Sequence, residues 1–155
     1  ITLMFGFQSW VQDCMDAAGF RGLSPMDILV LHAVNHRARD HRQADICRVL
    51  NIDDAHLVAY ALKKLLAAGL VSAQASGRER RFTTTPEGEA ACLAYRRVRE
   101  DHLVPSLAWV AGRDGALRDA AGLMGTLTAL YAQAGRGATA STAGQARPPR
   151  LHTKR

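Results

Sequence analysis

A mainly α-helical chain with one small β-hairpin is the fold class the sequence predicts, on three observations. Apolar residues recur at three- and four-residue spacing over 3–18, 24–35, 43–50, 54–68, 86–98 and 116–133, the period of one helix face. Two short runs rich in Val, Phe and Thr, 70–75 and 81–85, flank Ser76 and Gly77, which offer a tight turn. Punctuation residues stand where helices should begin and end: Ser24-Pro25, Asp53-Asp54, Gly69 and Thr85-Pro86.

In the first segment Leu3, Phe7, Trp10, Val11, Cys14 and Met15 make a stripe too wide and aromatic for a helix standing free. Ser24 then supplies a capping hydroxyl, Pro25 a pre-set φ and Asp27 a carboxylate that can reach back to the cap. The second helix should run to about Asn35, with Ile28, Leu31 and Val34 inward and His32 and His36 on another face. The charged stretch 35–42 is expected to hold a short strand pairing with the hairpin. Over 43–50, Ile46, Val49 and Leu50 form one stripe, leaving Asp45 and Arg48 outside. Asn51 to Asp53 break the period, and Asp53 or Asp54 caps a helix whose inner stripe is Val58, Ala61, Leu62, Leu65 and Leu66.

Two short helices joined in this way, then a hairpin tipped by Arg78, Arg80 and Arg81, form a winged helix-turn-helix. One helix can enter a major groove while the cationic ribbon meets a neighbouring phosphate track. The candidate DNA-facing residues are therefore His56, Leu57, Ala59, Tyr60, Lys63 and Lys64, outside the core stripe, with Arg78, Arg80 and Arg81 in the wing. His56 and Tyr60 can donate to bases or phosphates, the lysines can pair with phosphates, and Leu57 or Ala59 can touch a thymine methyl.

Past the hairpin, Thr85 and Pro86 open a long helix with Glu87 and Glu89 in its first turn, where the dipole favours acids. Ala91, Cys92, Tyr95 and Val98 face inward, and Arg96, Arg97 and Arg99 line the outside. Pro105 is expected to break or kink the chain, and 112–115 to form a loop. The last helix carries Leu117, Ala120, Leu123, Met124, Leu127, Leu130 and Tyr131 and almost no charge, so it should be buried on most sides, best against a two-fold partner. From Gly135 the composition becomes Gly, Ala, Ser, Thr, Pro and Arg without period, read as a disordered basic tail.

At 155 residues and 48% hydrophobic the chain can fill one core. Its net charge of +6 invites a nucleic-acid partner, but five basic residues lie in the tail, leaving fifteen basic against fourteen acidic elsewhere. Basicity of the folded part is local. No apolar run spans a bilayer, and the opening Ile-Thr-Leu-Met-Phe lacks a signal peptide's basic start, so a cytoplasmic location with a trimmed N-terminus is expected, and no membrane partner. Cys14, Cys47 and Cys92 are far apart and suggest reduced core thiols.

LSPMDILVLHAV (23–34), ADICRVL (44–50), LKKLLAAGLV (62–71) and TTPEG (84–88) stand in an order and at spacings that resemble the MarR family of bacterial winged-helix regulators, over about 3–102. The resemblance implies a homodimer with intertwined terminal helices, double-stranded DNA as partner and an acid holding the wing arginine, for which Glu79 is the nearest candidate. The expected organisation is one domain over 1–134, with its DNA-binding part at 23–88, dimerisation helices at 1–20 and 89–134, and the tail at 135–155.

The runner-up reading is a winged-helix protein-interaction module without sequence-specific DNA binding. His32 and His36, one turn apart and close to Asp40 and His41, have a spacing that can hold a metal, but no second convergent set follows them, so no metal or other cofactor is expected. Cys14 stands where the peroxide-sensing branch of the family carries a first-helix thiol, yet Asp13 and Asp16 disfavour its thiolate and a structural cysteine is the better reading. Trp10, Met15, Met26 and Tyr95 are candidates to line a pocket for an effector of unknown identity. No phosphate loop or nucleophile elbow appears, so an enzyme is not expected.

Overall fold

In the computed structural model, which describes residues 1–36, 41–77, 79–111 and 114–144, the order is α1 (Thr2–Ala17), α2 (Pro25–Asn35), β1 (His41–Arg42), α3 (Gln43–Leu50), α4 (Ala55–Ala67), β2 (Val71–Ser76), β3 (Glu79–Thr84), α5 (Pro86–Ala111) and α6 (Asp114–Gly144). Residues 1–106 and 107–155 form two units.

In the first unit α2 is the centre. The Ser24 hydroxyl accepts from the Asp27 amide at 3.2 Å, and the Asp27 carboxylate accepts from the Ser24 amide at 2.7 Å, so the helix starts on a reciprocal cap. Ile28, Val30, Leu31 and Val34 are fully buried, and α2 packs on α1, α3, α4 and β3. Val11, Cys14 and Met15 of α1, Ile46 of α3, Val58, Leu62 and Leu65 of α4 and Phe82 of β3 complete one core. The stripe expected on α3 is shifted: Val49 is exposed, and Cys47 and Leu50 flank Ile46 in the core. Positions 46, 47 and 50 centre an arc that leaves 49 at its margin.

The three-stranded antiparallel sheet has the order β1-β3-β2, with His41 opposite Phe82 and Val71 opposite Thr84. The strand expected within 35–42 is thus β1. Ser76 pairs with Glu79, so Ser76 belongs to the strand and not to the turn. Gly77 has φ +64°, the left-handed backbone that glycine reaches without steric cost. The start of α5 is fixed at the end of the hairpin opposite the turn: the Thr85 amide donates to the Leu70 carbonyl at 3.1 Å, and the Thr85 hydroxyl accepts from the Gly88 amide at 3.1 Å. A Cβ built on Gly88 would run into the Leu70 carbonyl, so the glycine of TTPEG is a requirement of close packing.

Pro105 does not break the chain; α5 runs through it to Ala111. A proline removes one intrahelical hydrogen bond, and a long helix survives when the turns on both sides hold. In the second unit α6 extends to Gly144, into the stretch whose composition reads as tail. Alanines 132, 134, 138, 140 and 143 favour continuing a helix already nucleated. Positions 145–155 lie outside the described residues. The apolar stripe of α6 is not buried in the single chain: Leu123, Met124, Leu127, Leu130 and Tyr131 are all exposed. Among the described residues of this unit, one helix and the end of another, nothing covers them. Leu3, Met4, Phe5 and Phe7 of α1 are likewise exposed, so only the second half of that expected stripe reaches the core.

Candidate nucleic-acid interface

The junction of α3 and α4 is built from local chemistry. Asn51 ends α3 in the left-handed region at φ 53°, and the Ile52 amide donates back to the Cys47 carbonyl at 2.9 Å. Of the two acids after it, Asp54 is the cap: its carboxylate accepts from the His56 amide at 2.9 Å. The Gln43 side-chain amide donates to the Ala55 carbonyl at 2.8 Å and ties the start of α3 to the start of α4. The relative placement of the two helices therefore rests on backbone and side-chain hydrogen bonds as well as on apolar contact.

Burial of Val58, Ala61, Leu62 and Leu65 turns the opposite arc of α4 outward. His56, Leu57, Tyr60 and Lys63 are exposed on it and Ala59 is half-buried, as the sequence leads one to expect. Lys64 is different. Its ammonium lies 2.8 Å from the Asp27 carboxylate and 2.8 Å from the Gly22 carbonyl, so it anchors α4 to the start of α2 and is not free for a phosphate. Asp27 is 2% exposed. Burial alone would push its carboxyl up, but hydrogen bonds from Lys64 and Ser24 and the charge of Lys64 outweigh this and hold it below its usual value.

On the wing, Arg80 is exposed on β3, and Arg81 is half-buried with its Cα opposite Gln74 on one side and Arg42 on the other. Arg78 lies outside the described residues. A groove of about 410 Å³ separates α4 from β3 and is lined by Gln43, Ala59, Lys63, Leu66, Arg80 and Phe82, so Lys63 and Arg80 flank one concavity. Glu79 pairs at 3.6 Å with Arg42 of β1. Arg42 also meets Asp45 at 3.0 Å, and Asp45 meets Arg48 at 2.8 Å. The hydrogen bond from Arg42 holds the Asp45 carboxyl below its ordinary value. This chain of charges stitches β1, α3 and the wing together. Sequence reasoning missed the roles of Gln43, Arg42 and Asp45; only the Arg42-to-Asp45 spacing, that of a cap and its third residue, carried a signal.

Residues 23–88, which contain all of this geometry, match the family described as winged helix DNA-binding domain. The segment has the winged helix fold. Compared as a whole, the fold is that of MarR family regulators. It matches a MarR family transcription regulator at TM-score 0.67 and 18% identity, covering 87% of each chain. A MarR family regulator from Neisseria meningitidis matches at TM-score 0.65 and 17% identity, covering 88% of this chain and 91% of the other. The transcriptional repressor CouR, in a structure with a 23-mer DNA duplex, matches at TM-score 0.64 and 20% identity, covering 84% and 87%. By sequence the chain matches no protein with a curated description.

Beside the winged helix, α1, α2 and α5 enclose a cleft of about 530 Å³, a size that suits small molecules. Trp10 and Tyr95 line it together with His32, Arg96 and Arg99. Met15 and Met26 do not; they belong to the core and its margin. The His32 ring stands edge-on to Tyr95 with centroids 4.5 Å apart, and its Nε2 is buried without a hydrogen-bond partner among the described residues. Burial, reinforced by the charges of Arg99 and Arg96, lowers its pKa from the ordinary 6.5. His41 turns elsewhere, its Nε2 2.9 Å from the His36 carbonyl. Among the described residues no three His, Cys, Asp or Glu converge on a point. The Cys14 thiol is buried and donates to the Tyr95 carbonyl at 3.4 Å, and burial raises its pKa. That is the environment of a packing residue, where thiolate chemistry is suppressed. No described helix is long and apolar enough to cross a membrane.

Proposed function

We propose that the chain is a transcriptional regulator that binds double-stranded DNA as a homodimer. Each subunit lays α4 in a major groove and rests its wing on the adjacent backbone or minor groove. The observation that carries this reading is the convergence of Lys63 and Arg80 on one groove, beside an outward arc of α4 that bears His56, Leu57, Ala59 and Tyr60. The exposed apolar residues of α1 and of α6 support the dimer, because a second copy covers them and none of them is needed inside one chain. The target is then a near-palindrome whose half-sites lie about one helical turn apart. We place any small-molecule effector in the cleft between α1, α2 and α5.

The test is a binding titration at several salt concentrations, using duplexes selected from genomic DNA by the protein itself. Affinity should fall steeply with salt, and Lys63→Ala and Arg80→Ala, each of which removes one phosphate contact from both subunits, should each lower the logarithmic slope by about two. A flat salt response, or variants that bind as the parent does, would contradict the reading. The exposure of Leu57 and Tyr60 favours a second reading, an interaction module for another protein. Under that reading the wing arginines are dispensable and no duplex is selected.

A further inference from the structure

The chemistry left on the reading arc of α4 is unusual for base recognition. Asp54 is used in capping the helix, and Lys64 is committed to Asp27 and Gly22. Lys63 borders the groove beside Arg80, a place suited to a phosphate. What remains over the first turns is Ala55, His56, Leu57, Ala59 and Tyr60. This set has no Arg, Asn or Gln, the side chains that read guanine or adenine through paired hydrogen bonds. It does have two large apolar side chains turned to solvent, Leu57 at 48% and Tyr60 at 73% exposure. They stand three residues apart on the helix, so they are neighbours and form one ledge. Ala55 and Ala59, four apart on the wing side, carry no bulk that would hold the helix away from a groove floor. The one apolar feature on that floor is the 5-methyl group of thymine.

We propose that α4 selects its site by thymine methyl groups received on the Leu57–Tyr60 ledge, while Lys63 and Arg80 fix the phosphates on the wing side. This inference rests on the DNA-binding reading above and adds the class of base that is read. Burying one methyl group against an apolar surface corresponds to about a fourfold change in affinity. A symmetric pair of half-sites should show about sixteenfold when the same thymine is changed in both.

The experiment uses the full chain and a duplex it has selected from genomic DNA. Each thymine of the half-site is replaced in turn by deoxyuridine, which keeps every hydrogen bond and removes only the methyl. Binding is followed by fluorescence anisotropy. The expected result is a loss of about fourfold or more at one or two thymines per half-site, with Leu57→Ala or Tyr60→Ala binding both duplexes alike. Both substitutions are at exposed positions, and circular dichroism confirms that the variants are folded. If deoxyuridine at every position leaves affinity within twofold of the parent duplex, this inference is overturned and the DNA-binding reading stands. If no duplex is selected at all, both fall.

Discussion

The salt bridge between Lys64 and Asp27 gives the sharpest test of how α4 is held. Lys64→Met keeps the side-chain length and removes the charge, which leaves a carboxylate that is 2% exposed without its ammonium partner. Breaking a buried pair from one side costs about 3–5 kcal/mol. The Lys64 side chain is 39% exposed, so water can partly replace it. We expect the lower value of a charge-assisted hydrogen bond, about 2 kcal/mol. Asp27→Ala removes the same pair and also the reciprocal cap with Ser24, a further loss of about 1 kcal/mol. The total of about 3 kcal/mol lowers the melting temperature of a chain this size by roughly 6–12 °C. Combining Asp27→Asn with Lys64→Met should cost less than the sum of the two singles, because the stranded charge is gone. Urea unfolding of the parent, the three single variants and the double variant measures each value. A Lys64→Met variant within about 0.5 kcal/mol of the parent would refute the reasoning. So would a Lys64→Met variant whose salt slope on DNA falls as that of Lys63→Ala does.

Three further outcomes follow from single features. Gly88→Ala forces a methyl group against the Leu70 carbonyl, which is itself held by the Thr85 amide, so unfolding free energy should drop by about 2–3 kcal/mol with the helix content retained. For His32 the folded pKa lies below the ordinary 6.5, so the unfolded chain binds the proton more readily. Its contribution is therefore complete above about pH 6.5 and declines as pH falls from there toward the folded value, with a slope of up to about 1.4 kcal/mol per pH unit. In His32→Phe that part of the pH dependence should vanish while the edge-on contact with Tyr95 remains. Asp27 adds a second loss of stability, setting in as pH falls below 3.8, and Asp27→Asn should remove it.

The parts of the fold legible in the sequence are those set by local chemistry. Ser24, Pro25 and Asp27 announce a capped helix, Asp54 and Gly69 bound α4, and the apolar period of α4 says which side faces out. Lys64 could not be read this way. Its partners lie 37 and 42 residues away, and on helix periodicity alone it is one more outward lysine. Gly88 was visible as part of a motif, but the carbonyl that demands it belongs to Leu70 across the sheet. Val49 misled because its spacing from Ile46 and Leu50 fits a stripe, and three residues over eight positions define its centre poorly. The sequence led to the expectation that the apolar residues of α6 are buried, and among the described residues they are exposed, because helix periodicity shows an apolar face but not what covers it.

The central claim is that two copies act together on one duplex. Sedimentation of the purified chain with a duplex selected from genomic DNA measures this directly. The account predicts a complex of two chains per duplex, with protection of two symmetric half-sites about one helical turn apart. A complex containing one chain, or protection of a single half-site at saturation, would contradict it.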